Sequence, residues 1–197
     1  MTNNQKLQIF IDGGNDIFTV KDLRKVNIHH ASLPAFIKAG KLERIAYGVY
    51  ATPEAFEDKM YILQKRNPSI IYSHGTALYL HNLTDRDPIS YTITVPSGFN
   101  TKRFIDEGLC VRLIKRDLHS VGLTKKTTVF GHSINVYNLE RTICDIIRDR
   151  NNMDVDIITE AIKRYVKRSD KDLNILMDYA KKFRVTQLLR NYLEVLL

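Results

Sequence analysis

The run Phe18-Thr19-Val20-Lys21-Asp22-Leu23-Arg24-Lys25-Val26 decides how the chain begins. The Thr19 hydroxyl can accept from the backbone three residues on and Asp22 can return the bond, while Phe18 and Leu23 occupy the two positions of a hydrophobic staple. A helix over Val20 to Val26 follows. Upstream, Asn3 to Ile11 is a second helix with Leu7, Phe10 and Ile11 on one face, broken by Asp12-Gly13-Gly14-Asn15. Downstream, Asn27-Ile28-His29 is a short turn, after which Leu33, Phe36 and Ile37 share a face until Gly40. Ser32 is the natural cap of that third helix, and Pro34 fits only its first turn, where the missing N–H has no partner to lose. Leu42 to Ala51 reads as two short strands turning at Ala46 to Gly48. Three short helices and a hairpin are the layout of a winged helix-turn-helix.

Beyond it, Thr52-Pro53 is expected to open a helix through Phe56, Met60 and Leu63 that stops at Asn67-Pro68. From Ile70 the pattern is mixed. Ser73 caps a helix over Thr76 to His81, Ile89 to Val95 alternates as a half-buried strand, Leu109 to Ile114 is another, and Val129 to Tyr137 suggests a hairpin about Gly131-His132. The remainder is helical: Leu139 to Arg150, then a helix from an Asp154 cap through Ile158, Ile162, Tyr165 and Val166. A Ser169/Asp172 capping box precedes Leu173, Leu176, Met177 and Ala180, and Val185 to Leu197 closes the chain. The expected class is α+β. A winged helix-turn-helix DNA-binding domain covers residues 1–52, a connecting helix 53–68, and a mixed α/β C-terminal domain ending in a helical bundle 69–197.

The 197 residues carry a formal charge of +8 with a pI near 9.4, which favours a polyanionic partner because neutralising phosphates releases counterions. The two cysteines, Cys110 and Cys144, have neither CxxC nor Cys/His ligand spacing and read as buried reduced thiols. Met1 to Gln8 lacks an apolar segment and no stretch of about 18 apolar residues occurs, so a cytoplasmic location without membrane attachment is expected. Enzyme motifs are weak. Neither phosphate-cradling glycine loop occurs, and the six histidines, His29, His30, His74, His81, His119 and His132, form no i,i+4 pair. Asp12-Gly13-Gly14 suggests a nucleotidyltransferase glycine pair, but paired acidic residues to hold magnesium do not follow. Arg141 and Asp145, four apart on a helix, are more simply a structural ion pair than an acid/base site. No catalytic residue, metal site or cofactor is therefore assigned.

In a helix-turn-helix the second helix meets base edges while flanking groups hold phosphates. With Leu33, Phe36 and Ile37 inward, His29, His30, Ser32, Ala35 and Lys38 face outward. Lys38 suits guanine, Ala35 a thymine methyl, and the histidines and Ser32 bases or phosphates. Lys21, Arg24 and Lys25 flank the preceding helix, and Lys41 and Arg44 can bind backbone beside Tyr47 at the wing tip. A Tyr-Gly wing can equally be a tight hairpin with its ring packed down. Farther on, Lys163, Arg164, Lys167 and Arg168 would crowd like charge on one side of a helix, and Lys181, Lys182 and Arg184 extend the patch in sequence. Either a second polyanion or partner surface, or a solvated face offset by Asp156 and Glu160, accounts for them.

Four motifs in order resemble the AbiEi antitoxin family. They are Ala39-Gly40-Lys41-Leu42-Glu43-Arg44 with Tyr47-Gly48-Val49-Tyr50; Tyr72-Ser73-His74-Gly75-Thr76-Ala77-Leu78-Tyr79-Leu80-His81-Asn82-Leu83; Ile93-Thr94-Val95-Pro96; and Leu139-Glu140-Arg141-Thr142-Ile143-Cys144-Asp145. The resemblance implies a type IV toxin-antitoxin system linked to abortive phage infection. In it the chain represses its own operon through inverted repeats, and its C-terminal domain counters a nucleotidyltransferase-like toxin without stable complex formation. A regulator with a ligand-sensing C-terminal domain and an enzyme acting on nucleic acid are the competing readings.

Overall fold

The computed structural model describes residues 1–196; Leu197, included above in the last helix, lies outside the described residues. The chain forms two compact units, one of residues 1–68 with 127–134 and the other of 69–126 with the residues from 135 onward.

The first unit runs α1 (Asn3–Asp12), β1 (Ile17–Thr19), α2 (Val20–Lys25), α3 (Leu33–Lys38), β2 (Glu43–Ala46), β3 (Val49–Ala51) and α4 (Lys59–Arg66). It is a winged helix-turn-helix. The Thr19/Asp22 capping box starts α2 as its sequence dictates, and Phe18 and Leu23 enter one core with Leu7, Ile28, Leu33, Phe36 and Leu42. The wing sheet has the order β1-β3-β2, all antiparallel, with Phe18 opposite Tyr50 and Arg44 opposite Tyr50 on the other edge. Strand β1 has no counterpart in the sequence reading: its three residues are all buried, so no alternation marks it.

Three expectations for this unit are corrected. Ile37 is 39% exposed: α3 is six residues long, Gly40 (φ +68) reverses the chain, and Leu42 takes the core position instead. Ser32 does not cap α3 with its side chain; it sits in a 3-10 turn over His30–Ser32, 5% exposed, with its hydroxyl bonded to Asn3 Nδ2. Thr52-Pro53 opens no helix. Ala55 N–H closes a turn on Thr52 O, and α4 starts after the buried Asp58, whose carboxylate caps it through Tyr61 N–H.

The second unit runs β4 (Ile71–Tyr72), α5 (His74–Leu80), β5 (Thr92–Pro96), α6 (Lys102–Asp106), β6 (Cys110–Ile114), α7 (Arg116–His119), β7 (Leu123–Thr127), β8 (Ser133–Tyr137), α8 (Leu139–Arg148), α9 (Val155–Lys167), α10 (Leu173–Lys182) and α11 (Thr186–Leu196). Its sheet has the order β6-β5-β4-β8-β7; β4 is antiparallel to β5 and parallel to β8, and β5 is parallel to β6. The inward faces of α5, α8, α9, α10 and α11 close the core, among them Leu78, Ile143, Ile147, Ile162, Leu176 and Leu189.

Here too the chain departs from the sequence in places. Ile89 is fully exposed and β5 begins only at Thr92, where Cys110 of β6 pairs with it. The hairpin does turn at Gly131 (φ +87), but its first strand is β7 rather than Val129 onward, and Val129 is 92% exposed. Ser169 caps nothing. Asp172 is fixed by its N–H on Glu140 and by the Tyr165 hydroxyl on its carbonyl, and its own carboxylate accepts from Ile175 N–H, so α10 starts there. Ser73 precedes α5, but its hydroxyl accepts from Thr94 Oγ1 instead of capping. Of the two thiols, Cys144 is buried and Cys110 exposed.

Candidate nucleic-acid interface

The capping box that starts α2 also sets the charge around it. Asp22 accepts from the Thr19 N–H at 3.0 Å and receives Lys65 Nζ at 2.9 Å and Lys25 Nζ at 3.4 Å. Partial burial opposes its charge, but the bonds from Lys65 and Thr19 outweigh it and the carboxyl falls to about 2. The acid is thus committed to holding α4 against α2. Beside this pair, Lys21 and Arg24 of α2 and Arg44, Tyr47 and Gly48 of the β2–β3 hairpin open onto one cleft of about 530 Å³, which also takes Lys65 and Arg66 from α4.

The wing tip is turned out. Tyr47 is 84% exposed, Gly48 supplies the φ of +70 that the turn requires, and the Arg44 guanidinium lies 5.3 Å from the Tyr47 ring centroid. A planar cation on an exposed ring is preorganised for a phosphate or a base edge. Lys65 and Arg66 were missed in the sequence, where α4 read only as a connector; adjacent basic residues just before Asn67-Pro68 were the available signal.

The other candidates are distributed around α3. His30, Ala35 and Lys38 are exposed. His29 is exposed as well, but its Nδ1 accepts from Ala31 N–H at 3.2 Å, which leaves Nε2 for any contact. Its backbone is gripped by Asn3 of α1: Oδ1 accepts from His29 N–H at 2.9 Å and Nδ2 donates to His29 O at 2.7 Å. Lys41 donates to Gln8 at 3.0 Å and lies 5.7 Å from the Phe36 ring centroid, while Lys25 pairs with Asp22. Ser32, buried under Asn3, is not part of the outward face expected of it.

The first unit also holds an imidazole between two acids. His132 Nδ1 is 2.9 Å from Asp58 Oδ2 and Nε2 is 3.1 Å from Asp16 Oδ1; its ring stacks on Tyr61 at 4.2 Å, and Thr128 donates to the same Asp58 oxygen. This arrangement fastens the 127–134 turn to the loop before β1 and to the start of α4. Among the described residues no group of three or more His, Cys, Asp or Glu side chains is placed to hold a metal ion.

In the second unit the expected basic patch is partly neutralised. Arg164 pairs with Asp85 and Glu160, Arg168 forks onto Asp170 at 2.7 Å and donates to His81 O, and Lys181 lies 3.7 Å from Asp178. Lys163 and Lys167 are exposed. The crowding of like charge read from the i,i+4 spacing is therefore relieved by acids from other segments, notably Asp85. Lys182 and Arg184 line a cleft to which neither Arg164 nor Arg168 contributes.

Against known proteins, residues 5–53 match the family model described as "Transcriptional regulator, AbiEi antitoxin", a segment that spans α1 to the end of β3. A search of curated proteins finds no match. Among solved structures, the RV2827C protein from Mycobacterium tuberculosis is similar in fold, with a TM-score of 0.54 and 13% identity over 85% of this chain and 67% of that one. The likeness to AbiEi regulators thus covers residues 5–53 of the 197. No helix among the described residues is long and apolar enough to cross a membrane.

Proposed function

We propose that the chain is an operator-binding autorepressor and the antitoxin of a type IV toxin-antitoxin system, acting in the cytoplasm. In this reading α3 enters the major groove of inverted repeats in its own promoter and the β2–β3 wing lies on the backbone. The observation that carries it is the convergence of Lys21, Arg24 and Arg44 with the exposed Tyr47 on one cleft of a helix-turn-helix unit. The match of residues 5–53 to antitoxin regulators supports the regulatory role. The second unit then counters a nucleotidyltransferase-like toxin without a lasting complex.

The test is titration of a duplex spanning the region upstream of the gene, read by fluorescence anisotropy at fixed salt. Lys38→Ala and Arg44→Ala are expected to weaken binding with the circular dichroism spectrum unchanged, each by about tenfold if a charge-assisted contact is lost. Unchanged affinity in both variants would overturn the assignment.

A further inference from the structure

A second cleft, of about 460 Å³, lies wholly within the second unit, between the end of β6, α7 and the turn after α10. Four cations open onto it: Lys115, Arg148, Lys182 and Arg184. One acid, Asp117, faces them. None of the four makes an ion pair among the described residues, in contrast to Arg164 and Arg168 of the same unit. Lys182 instead lies over the Tyr179 ring at 5.8 Å. The lining is more polar than apolar, and its accessible apolar part comes from Leu113, 51% exposed, and the half-buried Leu118.

Arg184 carries the argument further. It sits just past the end of α10 with φ +59, a left-handed conformation that glycine or asparagine adopts at least cost. The backbone there is set by a helix-terminating turn, with Val185 N–H on Ala180 O at 2.9 Å and Arg184 N–H on Lys181 O at 3.2 Å. A long side chain at that position gains nothing for the turn. It does add a fourth cation to a lining that already holds three, and a left-handed non-glycine residue at such a site points to use of its side chain.

We propose that this cleft binds a small phosphate monoester whose organic part is apolar. The phosphate would lie among Lys115, Arg148, Lys182 and Arg184, where several charge-assisted bonds offset its desolvation, and the apolar part would cover Leu113 and Leu118. The volume suits a small molecule rather than a helix or strand. The site stands independently of the operator-binding proposal, since none of its residues belongs to the first unit.

The probes are phenyl phosphate and inorganic phosphate, titrated calorimetrically into the full-length protein at fixed salt, with thermal melts alongside. Phenyl phosphate is expected to bind with one-to-one stoichiometry and more tightly than inorganic phosphate. Arg184→Gly removes the cation and relaxes the turn, so its melting temperature without ligand should equal or exceed that of the wild type while its affinity for phenyl phosphate falls about tenfold or more. Arg148→Gln should weaken binding similarly, and Lys102→Ala, an exposed lysine of α6 outside the cleft, should not. Equal binding by wild type, Arg184→Gly and Arg148→Gln would overturn the site. So would the absence of phenyl phosphate binding by a folded wild type.

Discussion

Arg141 is the largest side chain buried below 2% exposure, and its charge is answered within reach. Nε donates to Asp145 at 2.8 Å, Nη1 to the carbonyls of Leu118 and Val121 at 3.0 Å each, and the guanidinium is flanked by the Tyr137 and Phe183 rings at 4.1 and 3.9 Å. Removing one partner of such a pair leaves an uncompensated interior charge, so Asp145→Ala is expected to cost about 3–5 kcal/mol, read as a lower urea midpoint with an unchanged slope. Gly122 packs against the same residue. It has φ +77, and an added Cβ would lie 2.5 Å from Arg141 Cβ and 2.9 Å from Asn138 Oδ1, so Gly122→Ala should destabilise as well. The i,i+4 spacing made the Arg141–Asp145 pair legible in the sequence; the two carbonyl acceptors, about twenty positions away, left no such trace. Asp22 gives a prediction in pH. Its carboxyl is lowered from 3.8 to about 2, so its contribution to stability is fully present above the ordinary value and is lost as pH falls through about 2. The stability difference between wild type and Asp22→Asn should therefore be constant from neutral pH down to about 4 and shrink below it, as urea titrations at successive pH values would report.

At the scale of elements, what could be read from sequence was what each segment encodes alone. The Thr19/Asp22 box, the Gly48 turn and the Asp154 cap specify α2, the wing and α9 through bonds no more than a few residues long. β4 is two residues long and both are buried, so, like β1, it is identified only by the strands it joins. The start of α4 was misread for the same reason: Thr52-Pro53 is a good local signal, and it loses to Asp58, whose carboxylate is held by His132 and Thr128 from far along the chain. The candidate interface divides likewise. Lys21, Arg24, Arg44 and Tyr47 follow from the helix-turn-helix pattern, but that Lys65 and Arg66 share their cleft depends on α4 packing on β1 and β3. Asp58→Ala should cost about 1 kcal/mol for the lost cap and about 1–3 kcal/mol more for leaving His132 Nδ1 and the Thr128 hydroxyl without their shared partner, measured by chemical denaturation. In operator titrations, Asn3→Ala should weaken binding without touching DNA, because it releases the turn that aims α3.

At the scale of the molecule, the charge of +8 has a measurable signature. Operator affinity should fall with salt along a log–log slope of about 0.9 per phosphate contact, and each of Lys21→Ala, Arg24→Ala and Arg44→Ala should reduce that slope by about one contact. A flat response would remove the phosphate-dominated interface. The antitoxin half of the proposal is tested by co-expressing the cognate toxin with a fragment beginning near residue 55, which retains Asp58 and Tyr61 beside His132. Growth rescue by a soluble fragment that has lost operator binding is the expected result. A soluble fragment that fails to rescue contradicts it. The His132 contacts also bear on how the protein is made. A unit built from residues 1–68 and 127–134 cannot be completed when its first 68 residues have left the ribosome. Its last strap is translated roughly 3–13 s later at about 5–20 residues per second, and for that interval Asp58 has neither His132 nor Thr128 to meet. Slow codons between the two segments would lengthen the wait, so synonymous changes there should alter the yield of folded protein without altering a single residue.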